Sequence, residues 1–240
     1  MRKIRLQVAL AKAGAASRRK AALLIKEGSV SVNGRRVTEP GFRTDPEKDI
    51  IAVCGRRIQT EKKYYYILNK PAGVISTASD ELKRKTVLDF ADKKARLYPV
   101  GRLDKDTTGL LMLTNDGDLA YRLTHPKFEI PRVYEIKTDH SPDTADLNRL
   151  RKGIIVDGRV ARAQEIILKR KKGRFFVLNL MISEGRKHEI RKMFEAIGYG
   201  QIGLKRVSFG PVKLGDLREG YSRPLTENEI DSLKKYLKLT

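Results

Sequence analysis

The chain has 240 residues, 40% of them hydrophobic, which is enough for a real core, and its single cysteine excludes an internal disulfide framework. Its 51 Lys and Arg against 29 Asp and Glu give a formal charge of +22, which points to a polyanionic partner and away from an acidic metabolite. No apolar run reaches the roughly 18 residues that span a bilayer, and the N-terminus lacks the apolar core of a signal peptide. A cytoplasmic protein with no membrane partner is therefore expected.

The charge is unevenly spread. Residues 1–63 carry 16 basic and 6 acidic side chains, net +10, and the remaining 177 carry net +12. In this stretch, apolar Ile4, Val8, Ala9 and Ala11 predict a short helix over 4–13, stopped by Gly14. Ser17 is placed to cap a second helix whose Ala21, Leu24 and Ile25 share a face and which Gly28 ends. Its first turn holds Arg18, Arg19 and Lys20, the wrong sign for a helix start, where anions are favoured by roughly 0.3–1 kcal/mol each. That cluster reads as a binding device for phosphate, the alternative being an ordinary solvated basic face. Val30-Ser-Val-Asn33-Gly34-Arg-Arg-Val37 is a hairpin signature, and a strand follows over 49–53. A polar link at 59–63 is the expected domain boundary.

Beyond it, a strand over 64–68 runs into the turn Asn69-Lys70-Pro71-Ala72-Gly73. A charged loop over 80–85 and one helical turn over 86–90 come next. Leu110 to Leu113 form a continuous apolar run of strand length, ended by Asn115-Asp116-Gly117. Asp118 is expected to cap a short helix through Leu123, closed by Pro126. A strand over 132–136, a helix over 143–150, a hairpin at Asp157-Gly158 and a buried strand over 175–182 follow. Ile190, Met193, Phe194 and Ile197 recur at helical spacing, ended by Gly198. Short strands fill 203–215, and Thr226-Glu-Asn-Glu229 is a capping box opening a last helix. Strands joined by hairpins, with helices interspersed, predict an α+β fold on a mixed, mostly antiparallel sheet. No G-x-G-x-x-G or Walker loop is present.

The chemistry centres on Gly101-Arg102-Leu103-Asp104, a carboxylate in a basic loop ahead of the apolar strand. Asp104 with Asp106 forms a D-x-D pair open to a divalent ion, but Arg102 and Lys105 oppose a cation there. His188-Glu189 is no zinc motif, because Lys192 stands where a second His is needed. Two opposed carboxylates, as a glycosidase needs, are not indicated. A lone Asp beside a guanidinium stays ionised and oriented, which suits a nucleophile or a base. An Asp that merely ties its loop to a neighbour fits the same spacing.

Two resemblances decide among these. Helix, helix opened by Ser17-Arg18-Arg19, and a hairpin bearing Val30-x-Val32-Asn33-Gly34 resemble the S-four type RNA-binding module over residues 1–60. Gly101-Arg102-Leu103-Asp104-x-x-Thr107-x-Gly109-Leu110-Leu111 resembles the signature of pseudouridine synthases. Asn69-Lys70-Pro71-x-Gly73, Arg132-x-Tyr134 and Glu184-Gly185-Arg186-x-His188-x-Ile190-Arg191-x-Met193-Phe194 follow that family's blocks in order. The chain is similar to the RsuA/RluB branch of ribosomal RNA pseudouridine synthases, with the catalytic domain over 64–240.

The resemblance implies that Asp104 is the catalytic aspartate and that Tyr134 stacks under the flipped uracil. It implies that Arg191 pairs with Asp104, that Ile190 forms an apolar wall, and that Arg102 fills the gap left by the target base. It also implies ribosomal RNA or a precursor particle as partner, large-subunit 23S RNA in preference to 16S, no cofactor, and action as a monomer. Arg132 and Glu189 depart from the lysine and glutamine common at those positions. A non-catalytic RNA-binding assembly factor and a metal-dependent nuclease are the competing readings.

Overall fold

Leu110, Leu111, Met112 and Leu113 are all fully buried, and their side chains divide between two separate cores. Leu111 and Leu113 pack with Leu178, Leu180, Met193 and Phe194, while Leu110 and Met112 pack with Ile67, Leu119, Leu123 and Leu233. Successive strand side chains point to opposite faces, so an uninterrupted apolar run marks a strand covered on both sides. Burying each such leucine stabilises the fold by roughly 1.5–3 kcal/mol.

In the computed structural model, the described residues are 3–59, 61–91, 96–172 and 175–239. The chain divides into one unit of residues 1–63 with 115–117, and another of 64–114 with 118–240. Thr60, inside the link expected at 59–63, lies outside the described residues.

In the first unit, helices Leu6–Lys12 and Arg18–Lys26 share a core with a small antiparallel sheet, built on Leu6, Leu10, Ala21, Ile25, Val30 and Ile51. Among the described residues the sheet runs Arg35–Val37, Val30–Val32, Ile51–Val53, Arg56–Arg57. Ser17 caps the second helix, its hydroxyl accepting the Lys20 N–H at 3.2 Å. The expected first helix begins late: Ile4 and Arg5 are extended and pair with Thr44 and Arg43, so the helix opens only at Leu6. Asn33 and Gly34 both take positive φ, 50° and 78°, as a tight two-residue hairpin requires. The Asn33 side chain also bonds Asp49 and the Ile50 N–H, fastening the hairpin to the next strand.

In the second unit, a mixed sheet of nine strands among the described residues has the order Glu165–Lys172, Phe175–Ile182, Arg132–Thr138, Gly203–Phe209, Thr108–Thr114, Tyr65–Lys70, Ser222–Pro224. Val212–Lys213 and Tyr98–Pro99 attach beside Gly203–Phe209 and Thr108–Thr114. Every described pairing is antiparallel except Gly203–Phe209 with Thr108–Thr114, where Lys205 aligns with Thr108 and Arg206 with Gly109. Helices Gly117–Thr124 and Glu227–Tyr236 cover one face, and Thr144–Lys152 and Glu189–Glu195 cover the other. Asp118 lies inside the first turn of its helix, which starts at Gly117, and so does not occupy the expected cap position. Thr226 and Glu229 make the expected capping box.

Candidate active site

Asp104 sits in the loop that enters the central strand Thr108–Thr114, and that loop is fastened from beneath. Lys70, at the end of Tyr65–Lys70, is fully buried and donates to the carbonyl oxygens of Pro71, Lys105 and Thr107 at 3.0, 3.0 and 2.9 Å. Burial pushes its ammonium down from 10.5 to about 8, against the opposing pull of Asp106, Asp104 and Glu219. The Gly73 N–H also donates to Lys105 O at 2.9 Å. Ser76 donates its hydroxyl to Leu103 O at 2.7 Å and accepts the Leu103 N–H at 3.1 Å. At the far end Gly109 takes φ 101°, and a Cβ there would run into the backbone of Arg206 on the parallel neighbour. Only glycine lets the two strands meet at that point.

The Asp104 carboxylate is about one-third exposed, its side-chain accessibility being 34%. His188 lies beside it, with Nε2 3.5 Å from Oδ1. The expected pair between Asp104 and Arg191 is not formed. Arg191 instead donates to two backbone carbonyls, Ile202 O at 3.0 Å and Asp106 O at 3.3 Å, which occupies its guanidinium with bracing the base of the loop. His188 takes a left-handed backbone, φ 55° and ψ 21°, as the cap of Glu189–Glu195.

Asp104, Arg102, Tyr134 and Ile190 all line one cavity of about 280 Å³, near the lower end of the roughly 300–1,000 Å³ usual for small-ligand sites. Tyr134 and Ile190 are buried walls, 7% and 4% exposed, and Arg102 is exposed at the rim. Arg132, Arg206 and Phe209 also line it. Arg18, Arg19 and Lys20 lie in the other unit, exposed in the first turn of their helix.

Both departures from the common pattern have local partners. Arg132 donates to Ser183 O and Glu184 O, each at 2.9 Å, fixing the turn before His188, and burial lowers its pKa. The Glu189 carboxylate, 4% exposed, is held by the Arg186 backbone N–H at 3.1 Å and its Nε at 2.8 Å. Among the described residues no group of three His, Cys, Asp or Glu is gathered to hold a metal ion.

Comparison with known proteins bears directly on this arrangement. The family model for RNA pseudouridylate synthase matches residues 64–196, more than half of the chain and all the motif blocks from Asn69 to Phe194. The chain belongs to this family. A model of the S4 domain matches residues 4–51 of the same synthase. It is 46% identical over 233 residues to ribosomal large subunit pseudouridine synthase B of Bacillus subtilis (strain 168), covering 96% of this chain and 95% of that one. It is 40% identical over 237 residues to an RNA pseudouridine synthase of Aquifex aeolicus (strain VF5), covering 98% and 95%. A solved pseudouridylate synthase superposes with TM-score 0.67 at 31% identity, over 96% of this chain and 99% of that one. The activity is thus that of a pseudouridine synthase, an isomerase of uridine in RNA.

Lys70, His188 and Arg206 are parts of this site to which the motif reading assigned no role. A signal for Arg206 existed: it stands two residues from buried Leu204, in the same phase of the strand alternation.

Proposed function

We propose that this synthase converts a uridine of large-subunit ribosomal RNA to pseudouridine, with Asp104 as its catalytic carboxylate. The observation that carries the site assignment is the convergence of Asp104, Tyr134 and Ile190 on one cavity beside a braced loop. The choice of RNA follows the large-subunit synthase that is 46% identical over nearly the whole chain.

In this reading a uridine leaves its stack and enters the cavity, at a cost of a few kcal/mol offset by basic contacts along the RNA. Its ring lies against Tyr134 and Ile190. Asp104, as nucleophile or as base, assists departure of N1 from C1′. The ring turns, C5 bonds to C1′, the C5 proton leaves to solvent, and N1, freed from C1′, takes up a proton in its place. Atoms balance without oxidant, water or co-reactant. Arg102 at the rim fills the space that the base vacates. Arg191 acts by holding the loop that carries Asp104, in place of the ion pair expected from sequence. Arg18, Arg19 and Lys20, together with the free N–H groups of their helix, take RNA phosphates.

The test uses RNA carrying tritium at uracil C5. Wild type should release label to water and Asp104→Asn should not, while still binding RNA. Equal release from Asp104→Asn would remove the carboxylate from the mechanism. A non-catalytic assembly factor predicts no release from wild type at all. Mapping pseudouridines in ribosomal RNA from cells with and without the gene identifies the subunit; a site lost only from 16S RNA would overturn the large-subunit assignment.

A further inference from the structure

Arg206 is 2% exposed and lines the cavity, yet most of its guanidinium is uncommitted. Its Nε donates to Leu110 O at 2.8 Å. Its Nη2 is buried with no hydrogen-bond partner. Among the described residues no carboxylate pairs with it: Asp104 faces His188, and Glu189 is held by Arg186. The guanidinium lies over the Phe209 ring, 4.8 Å from its centroid, and Arg132 lies over the same ring at 5.0 Å. Arg132 directs its N–H groups at backbone carbonyls, so Arg206 is the buried cation of this pair that keeps donors in reserve.

Leaving a charged donor buried and unpaired is costly, and native structures tolerate it where a ligand completes the site. A ligand that meets it must offer an acceptor inside the cavity that Tyr134 and Ile190 also line. A flat ring with carbonyl oxygens fits those walls; a phosphate, tetrahedral and strongly hydrated, does not. Cleavage of C1′–N1 leaves the bonding pair on the detached uracil, spread over N1, O2 and O4. Negative charge therefore develops on ring atoms that a guanidinium lining this cavity can meet.

We propose that Arg206 is a catalytic residue that donates from its guanidinium to a uracil carbonyl oxygen and stabilises the ring as C1′–N1 breaks. The inference rests on the reading that this cavity receives the target uridine. Arg206 remains protonated throughout. The pair on the ring returns through C5 to form C5–C1′, the C5 proton departs, N1 takes up a proton, and nothing is oxidised or reduced. A fixed donor in a water-poor site acts on the transition state more than on the bound substrate.

The experiment measures single-turnover label release and RNA affinity for wild type, Arg206→Gln and Arg206→Lys, with Asp104→Asn alongside. Substrates carry uridine, 2-thiouridine or 4-thiouridine at the target position. Arg206→Gln should slow release by roughly 10²–10³-fold, as loss of an oxyanion donor does, while RNA affinity moves by less than about threefold. Arg206→Lys, keeping charge without the fork, should fall between. Sulfur at the contacted oxygen should slow wild type by about fivefold or more but leave Arg206→Gln little affected, since its contact is already gone. A folded Arg206→Gln that turns over within about threefold of wild type overturns the proposal. So does weakened RNA binding at an unchanged single-turnover rate, the mark of a phosphate contact, and so do thio and Arg206→Gln effects that simply multiply. If circular dichroism shows Arg206→Gln unfolded, Arg206→Lys with the thio substrates decides by the same criteria. Label release by wild type but not by Asp104→Asn keeps the cavity reading standing whichever way Arg206 falls. Release by Asp104→Asn removes both.

Discussion

Replacing Lys70 with Met keeps the aliphatic stem and deletes the buried ammonium, so its two effects can be separated by pH. Burial takes this amine from 10.5 to about 8, so at neutral pH the folded chain carries a desolvation cost of roughly 3 kcal/mol. Lys70→Met removes that cost. It also leaves Pro71 O and Thr107 O without this donor, at about 1–3 kcal/mol each, while Lys105 O keeps the Gly73 N–H. The two changes oppose, and global stability at pH 7 should stay within about 3 kcal/mol of wild type. The pH dependence does not cancel. As pH rises through about 8 the folded chain releases the Lys70 proton, whereas the unfolded chain holds it until 10.5. The unfolded state then binds more protons, so wild type gains stability over Lys70→Met by roughly 2 kcal/mol between pH 7 and pH 10. Urea unfolding of both proteins across that range reads the difference, in which all other titrating groups drop out. Parallel stability curves would refute the buried ammonium. Label release should also fall by about tenfold or more in Lys70→Met, because small displacements of a positioned group are costly.

Gly109→Ala should destabilise the synthase by more than about 3 kcal/mol, since its Cβ meets backbone of Arg206, while Gly158→Ala, at φ 73° with open space around it, should cost about 1 kcal/mol. Equal losses in thermal unfolding would show that the close strand approach is absent. Replacing Arg18, Arg19 and Lys20 together with Ala should weaken RNA binding and lower the slope of log affinity against log salt by about two to three. An unchanged slope would take that helix start off the RNA path.

Where local rules govern, the residues announced the structure. The four apolar residues from Leu110 to Leu113 marked a strand covered on both faces, Asn33-Gly34 and Asp157-Gly158 marked tight turns at positive φ, and Ser17 and Thr226 marked helix starts. The strand Glu165–Lys172 escaped because it lies at the sheet edge, with Ile167 and Leu168 both exposed and no alternation to read. Ser222–Pro224 is the opposite edge, where a proline is tolerated and disguises the pairing. In the site, the motif blocks brought Asp104, Tyr134 and Ile190 to one cavity, but they did not reveal what each cation touches. Arg191 bonds to carbonyls, and His188 faces the carboxylate, because those partners come from backbone positions far along the chain. Lys70 is buried by neighbours that sequence spacing does not show, whereas Arg206 could have been placed inside by its strand phase with Leu204.

The parallel pairing of Gly109 with Arg206 also has a bearing on synthesis. A nascent chain halted before the strand Gly203–Phe209 carries the acidic loop and its lysine brace, but not the floor of the cavity. Such a fragment lacks Leu204, Arg206 and Phe209, three residues of the cavity lining. The closing partner arrives almost one hundred residues after the loop, and long-range pairings of this kind form late. In the reading proposed above, modification therefore cannot begin until the strand Gly203–Phe209 has been synthesised and has paired.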